Sequence, residues 1–198
     1  MKILIVSHEY PPVGGGGANA CINLAREYVA AGHRVTVLTV WYEGLENSEW
    51  IEGVNIIRVH SKRKYLDHCS FAEMLDYLLK AFAKVGKLVK KEQFDICQVF
   101  FAIPSGPVGY YLKKRYHIPY VIRFGGGDIP GAQKRFRYIY KILTPFIKMI
   151  WKNADYLVAN SEELKKKALA FYAKRDVQII TNGVDQNIFS PVDSDKIK

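Results

Sequence analysis

The chain has 198 residues, 49% of them apolar, and a net charge of +10 from 29 basic and 19 acidic residues. That length suits one large domain with a real core; no apolar run approaches the roughly 20 residues of a membrane span, and Met1–Val6 is too short, and too soon followed by His8-Glu9, for a secretory signal. The charge points to an anionic partner, and Cys21, Cys69 and Cys97 lack disulfide-scaffold or zinc spacing, which suits a reduced, cytoplasmic chain with no metal centre.

Lys2 to Ser7 reads as a buried strand, because its apolar run is continuous. A loop, His8 to Val13, leads to Gly14-Gly15-Gly16-Gly17 and then to a helix over Ala18–Ala31 with Cys21, Leu24, Ala25 and Tyr28 on one face. Val35–Val40 is a second strand, Trp41–Gly53 a polar connection and Val54–Val59 a third strand. After a basic loop, Ser61–His68, the capping box Ser70-Phe71-Ala72-Glu73 opens a long helix whose apolar stripe is Phe71, Met74, Leu75, Leu78, Phe82, Val85 and Leu88. Phe94–Phe101 is a fourth strand, followed by a helix from Pro104-Ser105-Gly106-Pro107 to Arg115. Pro119–Phe124 is a fifth, ending in Gly125-Gly126-Gly127-Asp128. Lys134–Asn153 is a helix interrupted or kinked near Pro145, Asp155–Ala159 a sixth strand, Ser161 a helix cap and Val177–Ile180 a seventh strand before Thr181-Asn182-Gly183-Val184-Asp185.

Strand and helix alternate throughout, so the fold class is α/β: a doubly wound, mostly parallel, Rossmann-like sheet of about seven strands with helices on both faces. In such sheets ligands sit beyond the carboxyl ends of the strands, where 8–17, 125–131 and 181–185 all fall. Four glycines before a helix allow close approach to free N–H groups and to the positive dipole end, as a phosphate requires; a flexible connection is the plainer reading. Gly15-x-Gly17-x-x-Ala20 formally fits a dinucleotide fingerprint, but His8–Val13 separate it from the strand and the expected acid is at best Glu43. His8 is either a substrate contact or a loop histidine bonded to backbone, and Asp128 either a ligand partner or an Asx-turn.

The helix after residue 134 is basic and aromatic. Phe136, Ile139, Leu143, Phe146 and Ile150 form its expected core stripe, which leaves Tyr138, Ile142, Met149 and Trp151 among Arg137, Lys141, Lys148 and Lys152. Arg137, Lys141, Lys148, Lys152 and Trp151 are thus candidates to face an anionic membrane, against the plainer reading of a solvated basic helix face. No nucleic-acid module accompanies the charge.

Several stretches, in this order and spacing, resemble the N-terminal half of family 4 glycosyltransferases, which have the two-domain GT-B fold. They are Ser7 to Gly17, Leu24 to Thr39, Gly126 to Gly131, Ala154 to Ser161, Asn182-Gly183-Val184-Asp185 and Phe189-Ser190-Pro191. The resemblance implies transfer of a sugar from a nucleotide-sugar such as a UDP- or GDP-sugar to a sugar or lipid-linked acceptor, with retention and without a metal. Cell-envelope polysaccharide, lipopolysaccharide or glycolipid synthesis is the implied setting, at the inner face of the cytoplasmic membrane. It implies that Gly14, Gly15, Gly16 and Gly17 approach the donor diphosphate. His8, Gly126, Gly127, Asp128, Asn182, Gly183 and Asp185 then line the acceptor side of the cleft. The family's usual histidine, an arginine in one subgroup, falls at Gly125, so the catalytic residue is not assigned. Residues 1–190 would be the acceptor-side domain and 191–198 a tail or linker, with the donor-binding C-terminal domain as the missing partner and no turnover from this chain alone. A catalytically silent binding module is the second reading and an NAD-type oxidoreductase the third.

Overall fold

A computed structural model describes residues 1–131 and 137–184. Its elements are β1 (Lys2–Val6), α1 (Gly16–Ala30), β2 (Arg34–Val40), β3 (Ser48–Ile51), β4 (Val54–Val59), α2 (Phe71–Lys91), β5 (Ile96–Phe100), α3 (Gly106–Tyr116), β6 (Tyr120–Arg123), α4 (Arg137–Asn153), β7 (Tyr156–Ala159), α5 (Glu162–Phe171) and β8 (Gln178–Ile179). The eight strands form one sheet in the order β3-β4-β2-β1-β5-β6-β7-β8. Every pairing is parallel except β3 with β4.

Strand alternation divides the core. Leu4, Val6, Val99 and Ile122 face one layer, where Tyr77 and Val85 of α2, Val108 and Leu112 of α3, Ile147 of α4 and Leu164 of α5 pack. Ile3, Ile5, Val35 and Val37 face the other, under Cys21 and Ala25 of α1. Burying each such aliphatic side chain contributes about 1.5–3 kcal/mol, which is why these strands read as unbroken apolar runs.

The doubly wound sheet stands as expected, with one strand more. β3 lies inside the stretch read as a polar connection. Its sequence, Ser48-Glu49-Trp50-Ile51, is largely exposed and carries no alternation to betray it. A two-residue turn makes it: Glu52 and Gly53 both have positive φ (50° and 78°), the geometry that folds a tight hairpin back onto β4. The buried Arg58 on β4 holds it through Glu49 at 2.5 Å and the Glu46 carbonyl at 2.9 Å.

In α2 the capping box forms as read. Ser70 Oγ accepts from the Glu73 N–H (3.3 Å), and the Glu73 carboxylate accepts from the Ser70 N–H (2.6 Å). The buried stripe, however, runs through Tyr77, Ala81 and Val85, so Leu75 is exposed and the larger aliphatics flank the contact.

α4 differs more. It runs through Pro145 without interruption and buries Tyr140, Ile147, Ile150 and Trp151. Trp151 is therefore not membrane-facing: it is 0% exposed, with its ring 4.6 Å from Phe124 and 5.0 Å from Phe171. The phase shifts because Tyr140, polar at its tip, serves as a core residue and turns Phe146 outward. Phe136 and Asp185, like the 190/191 boundary and the tail, lie outside the described residues.

Candidate functional site

β1 lies between β2 and β5, and the loops after β1 and β5 leave it in opposite directions, so the switch point of the sheet is beyond these two strands. The loop after β1 is tightly built. Ser7 Oγ donates to the Glu9 carbonyl (2.6 Å), Val13 N–H donates to the Tyr10 carbonyl (2.9 Å), and Tyr10 and Val13 are buried. Gly14 N–H donates to the Leu66 carbonyl at 2.7 Å. Gly14 is glycine for cause: its φ is 105°, and a Cβ there would lie 2.7 Å from the Glu9 side chain.

Gly15 and Gly16 are of another kind. Gly15 caps α1 with its backbone and Gly16 is the first helical residue; no side chain caps the helix and no acid occupies its first turn. A Cβ at either would meet nothing within 4 Å. The positive end of this 15-residue helix is therefore uncapped by any side chain and uncrowded on the Cβ side of Gly15 and Gly16. The Glu9 carboxylate accepts from the Gly15 N–H. Burial raises the Glu9 pKa, and Arg63 and that N–H only partly offset it.

His8 is buried at 5% exposure. Of the two roles read from sequence, the backbone-bonded one is not seen: its Nδ1 has no partner among the described residues, backbone included. Nε2 is 3.5 Å from Glu9 Oε1, and the ring meets Phe101 edge-on at 4.7 Å. Burial, reinforced by the charge of Arg63, lowers its pKa to about 3, so the imidazole is neutral at physiological pH. His8, Ser61, Arg63, Cys69, Glu73 and Tyr77 line a cavity of about 10 Å³, the size of a single water.

Sequence reasoning noted the basic loop 61–68 and gave it no role. The structure brings it to the glycine loop. Its Leu66 carbonyl receives Gly14 N–H, and Arg63 Nε and Nη2 donate to the Tyr65 and Leu66 carbonyls (2.7 and 3.1 Å). Lys64 N–H donates to Glu73 Oε1 at 2.8 Å. Burial alone would raise the Glu73 pKa; the bonds from Ser70 and Lys64 and the charge of Arg63 outweigh it, and the pKa is lowered.

The loop after β6 is held by Asp128. Oδ2 accepts from the Ala102 N–H at 2.5 Å, and Oδ1 from the N–H groups of Gly125 and Gly126, each at 2.9 Å. Of the two sequence readings, the loop-holding one describes this carboxylate. Burial raises its pKa to about 6 against the pull of those amides. Gly126 has φ 102°, and the Gly127 carbonyl lies 3.5 Å from Tyr140 Oη. Asn182 Oδ1 accepts from Arg123 Nη2 at 2.5 Å, which ties the third loop to β6. A Cβ on Gly183 would meet nothing within 4 Å.

The residue missed altogether is Phe101. Its half-buried ring stands between the first two loops, where a Cβ on Gly17 or on Gly125 would collide with it. The one hint was an apolar run, Phe100 to Pro104, that outlasts the strand. The assembled edge thus offers a helix N-terminus with no side-chain cap, a neutral buried imidazole and two arginines. Among the described residues no three His, Cys, Asp or Glu side chains converge as metal ligands.

The model of Glycosyltransferase Family 4 matches residues 14–187. The chain belongs to that family. An uncharacterized glycosyltransferase of Methanocaldococcus jannaschii is 28% identical over 191 residues, covering 94% of this chain and 50% of the relative. Sucrose-phosphate synthase from Thermosynechococcus elongatus superposes with a TM-score of 0.78 at 19% identity, over 97% of this chain and 50% of that one. WaaG, a glycosyltransferase involved in lipopolysaccharide biosynthesis, gives 0.54 at 17%, over 89% and 44%. The fold is that of the N-terminal half of GT-B glycosyltransferases, and the chain spans about half the length of the curated relative.

Proposed function

We propose that this chain is the acceptor-side half of a retaining glycosyltransferase that moves a sugar from a nucleotide-sugar to a sugar or lipid-linked acceptor in cell-envelope glycan or glycolipid synthesis. One observation carries the reading: the open N-terminus of α1 at the switch point, free of Cβ atoms at Gly15 and Gly16 and of acids in its first turn. Such an end stabilises the negative charge that grows on a leaving diphosphate. The complete protein supplies a second domain that carries the nucleotide across the cleft. His8, Gly126, Gly127, Asn182 and Gly183 border the acceptor.

The test is release of nucleoside diphosphate from a panel of UDP-, GDP- and ADP-sugars by the complete protein, with and without acceptor glycans, in the presence of a metal chelator. Turnover with one donor is expected, and none from residues 1–198 alone. Binding without turnover turns the reading toward a silent binding module, and turnover by the isolated chain removes the need for a second domain.

α4 favours a membrane-facing acceptor. Tyr138 and Ile142 are 76% and 79% exposed, Phe146 is also exposed, and at 100° per residue Arg137, Lys141, Lys148 and Lys152 flank that strip on one side. Lys148 is the least available of the four, because its ammonium lies 5.3 Å from the Phe171 ring centre. Co-sedimentation with anionic but not neutral vesicles is expected, and Ile142→Glu abolishes it.

A further inference from the structure

Phe101 packs at the margin of the core layer under α1, and it is strained and crowded there. It follows β5 directly, with φ at 68°, a backbone region in which a bulky side chain is an outlier. Such strain persists only where the surroundings over-determine it, and it gathers at functional sites. Here the surroundings do so. Phe101 N–H donates to the Arg123 carbonyl at 3.0 Å, Ala102 N–H is held by Asp128, and His8 meets the ring edge-on.

The ring also dictates two neighbours. A side chain at Gly17, on the first turn of α1, or at Gly125, after β6, would occupy the space that the ring fills. Two backbones have given up their side chains to admit one phenyl ring, which nevertheless stays half-buried at the carboxyl edge. A ring needed only as core filling is better placed on the strand itself, as Phe100 is at 2% exposure.

We infer that Phe101 is the specificity-determining wall of the cleft, the surface against which the apolar C–H face of the transferred sugar packs. The assignment rests on the glycosyltransferase reading. An aromatic ring suits that task, since a pyranose presents C–H groups on one face and hydroxyls at its rim, and the ring contacts the first without competing for the second. It lies between the uncapped start of α1, the end that would face a diphosphate, and the loop pinned by Asp128. Phe101 thereby takes over the place that a side chain at position 125 would fill.

Isothermal titration of the complete protein with nucleotide-sugars and with the matching nucleoside diphosphates tests this. Phe101→Leu and Phe101→Ala are compared with the wild type, and Phe101→Tyr serves as the conservative variant. The expected result is a loss of about fivefold or more in nucleotide-sugar affinity, with nucleoside diphosphate affinity unchanged, an altered ranking of epimeric sugars, and recovery in Phe101→Tyr. Equal losses for both ligand sets, or no change in either, overturn the assignment and leave the transferase reading standing. A wild-type protein that binds neither ligand set overturns the transferase reading and this inference with it. Phe101→Leu keeps the test valid if Phe101→Ala fails to fold.

Discussion

Gly14 to Gly17 and Gly125 to Gly127 are both glycine runs at the same edge of the sheet, and they are glycine for different reasons. In the first, the middle residues face open space, with nothing within 4 Å of a built Cβ on Gly15 or Gly16. In the second, Gly125 faces Phe101, and the loop is fastened by Asp128 to three amides. One run borders open space; the other makes room for a ring already there. Gly17 belongs to the second kind although it sits in the first run.

That contrast can be broken most forcefully at Asp128. Asp128→Ala orphans the amides of Ala102, Gly125 and Gly126, and a loss of about 3 kcal/mol is expected in urea unfolding; Asp128→Asn, which keeps an acceptor oxygen, loses about half as much. A loss below about 0.5 kcal/mol would mean that the second loop is not fastened as described. Next come Gly17→Ala and Gly125→Ala, which overpack against Phe101 at about 1–3 kcal/mol each. In a Phe101→Ala background each penalty should shrink by about 1 kcal/mol or more; additive penalties would uncouple the ring from the glycines.

Titration separates His8 of the first loop from Asp128 of the second. Burial lowers His8 from 6.5 to about 3, so between those values the unfolded chain binds a proton that the folded chain refuses, and stability falls as pH drops. Burial raises Asp128 from 3.8 to about 6, so its contribution is full below 3.8 and is lost as pH rises through 6. The two oppose each other between about pH 4 and 6. His8→Asn leaves Asp128 unopposed, and its stability should fall relative to that of the wild type as pH rises from about 4 to 6. Parallel curves would count against the buried neutral imidazole. The smallest expected effect on folding is at Gly16: Gly16→Ala should leave stability unchanged or raise it by less than about 1 kcal/mol, while weakening nucleotide-sugar binding by the complete protein. Unaltered binding would remove the first run from the site.

Much of this was legible. Continuous apolar runs announced the parallel strands, Ser70 and Ser161 announced caps that form, and three polar loops were placed at one edge, where Phe101 stands between the first two and Asn182 ties the third to β6. What escaped has physical causes. Exposed β3 carries no periodicity, and its only signal was the turn glycine Gly53. The face of α4 was misphased because Tyr140 is buried by its ring and not excluded by its hydroxyl. Phe101 and the 61–68 loop reach the site through tertiary packing between segments far apart in sequence, which no local pattern encodes.

The central place of β1 also sets an order of assembly. Ile3 leaves the ribosome before both of its partners; Val35 follows soon after, but its other neighbour exists only once Ile96 has been made. Phe101 follows a few positions later and Asp128 later still. The glycine run, hung from the end of β1, therefore waits until residues 101 and 128 have been made before its neighbours there are in place. The β3–β4 hairpin, whose partners adjoin in sequence, needs no such wait. During synthesis an early-made segment thus acquires its surroundings late, and slow elongation would leave it exposed in the interval.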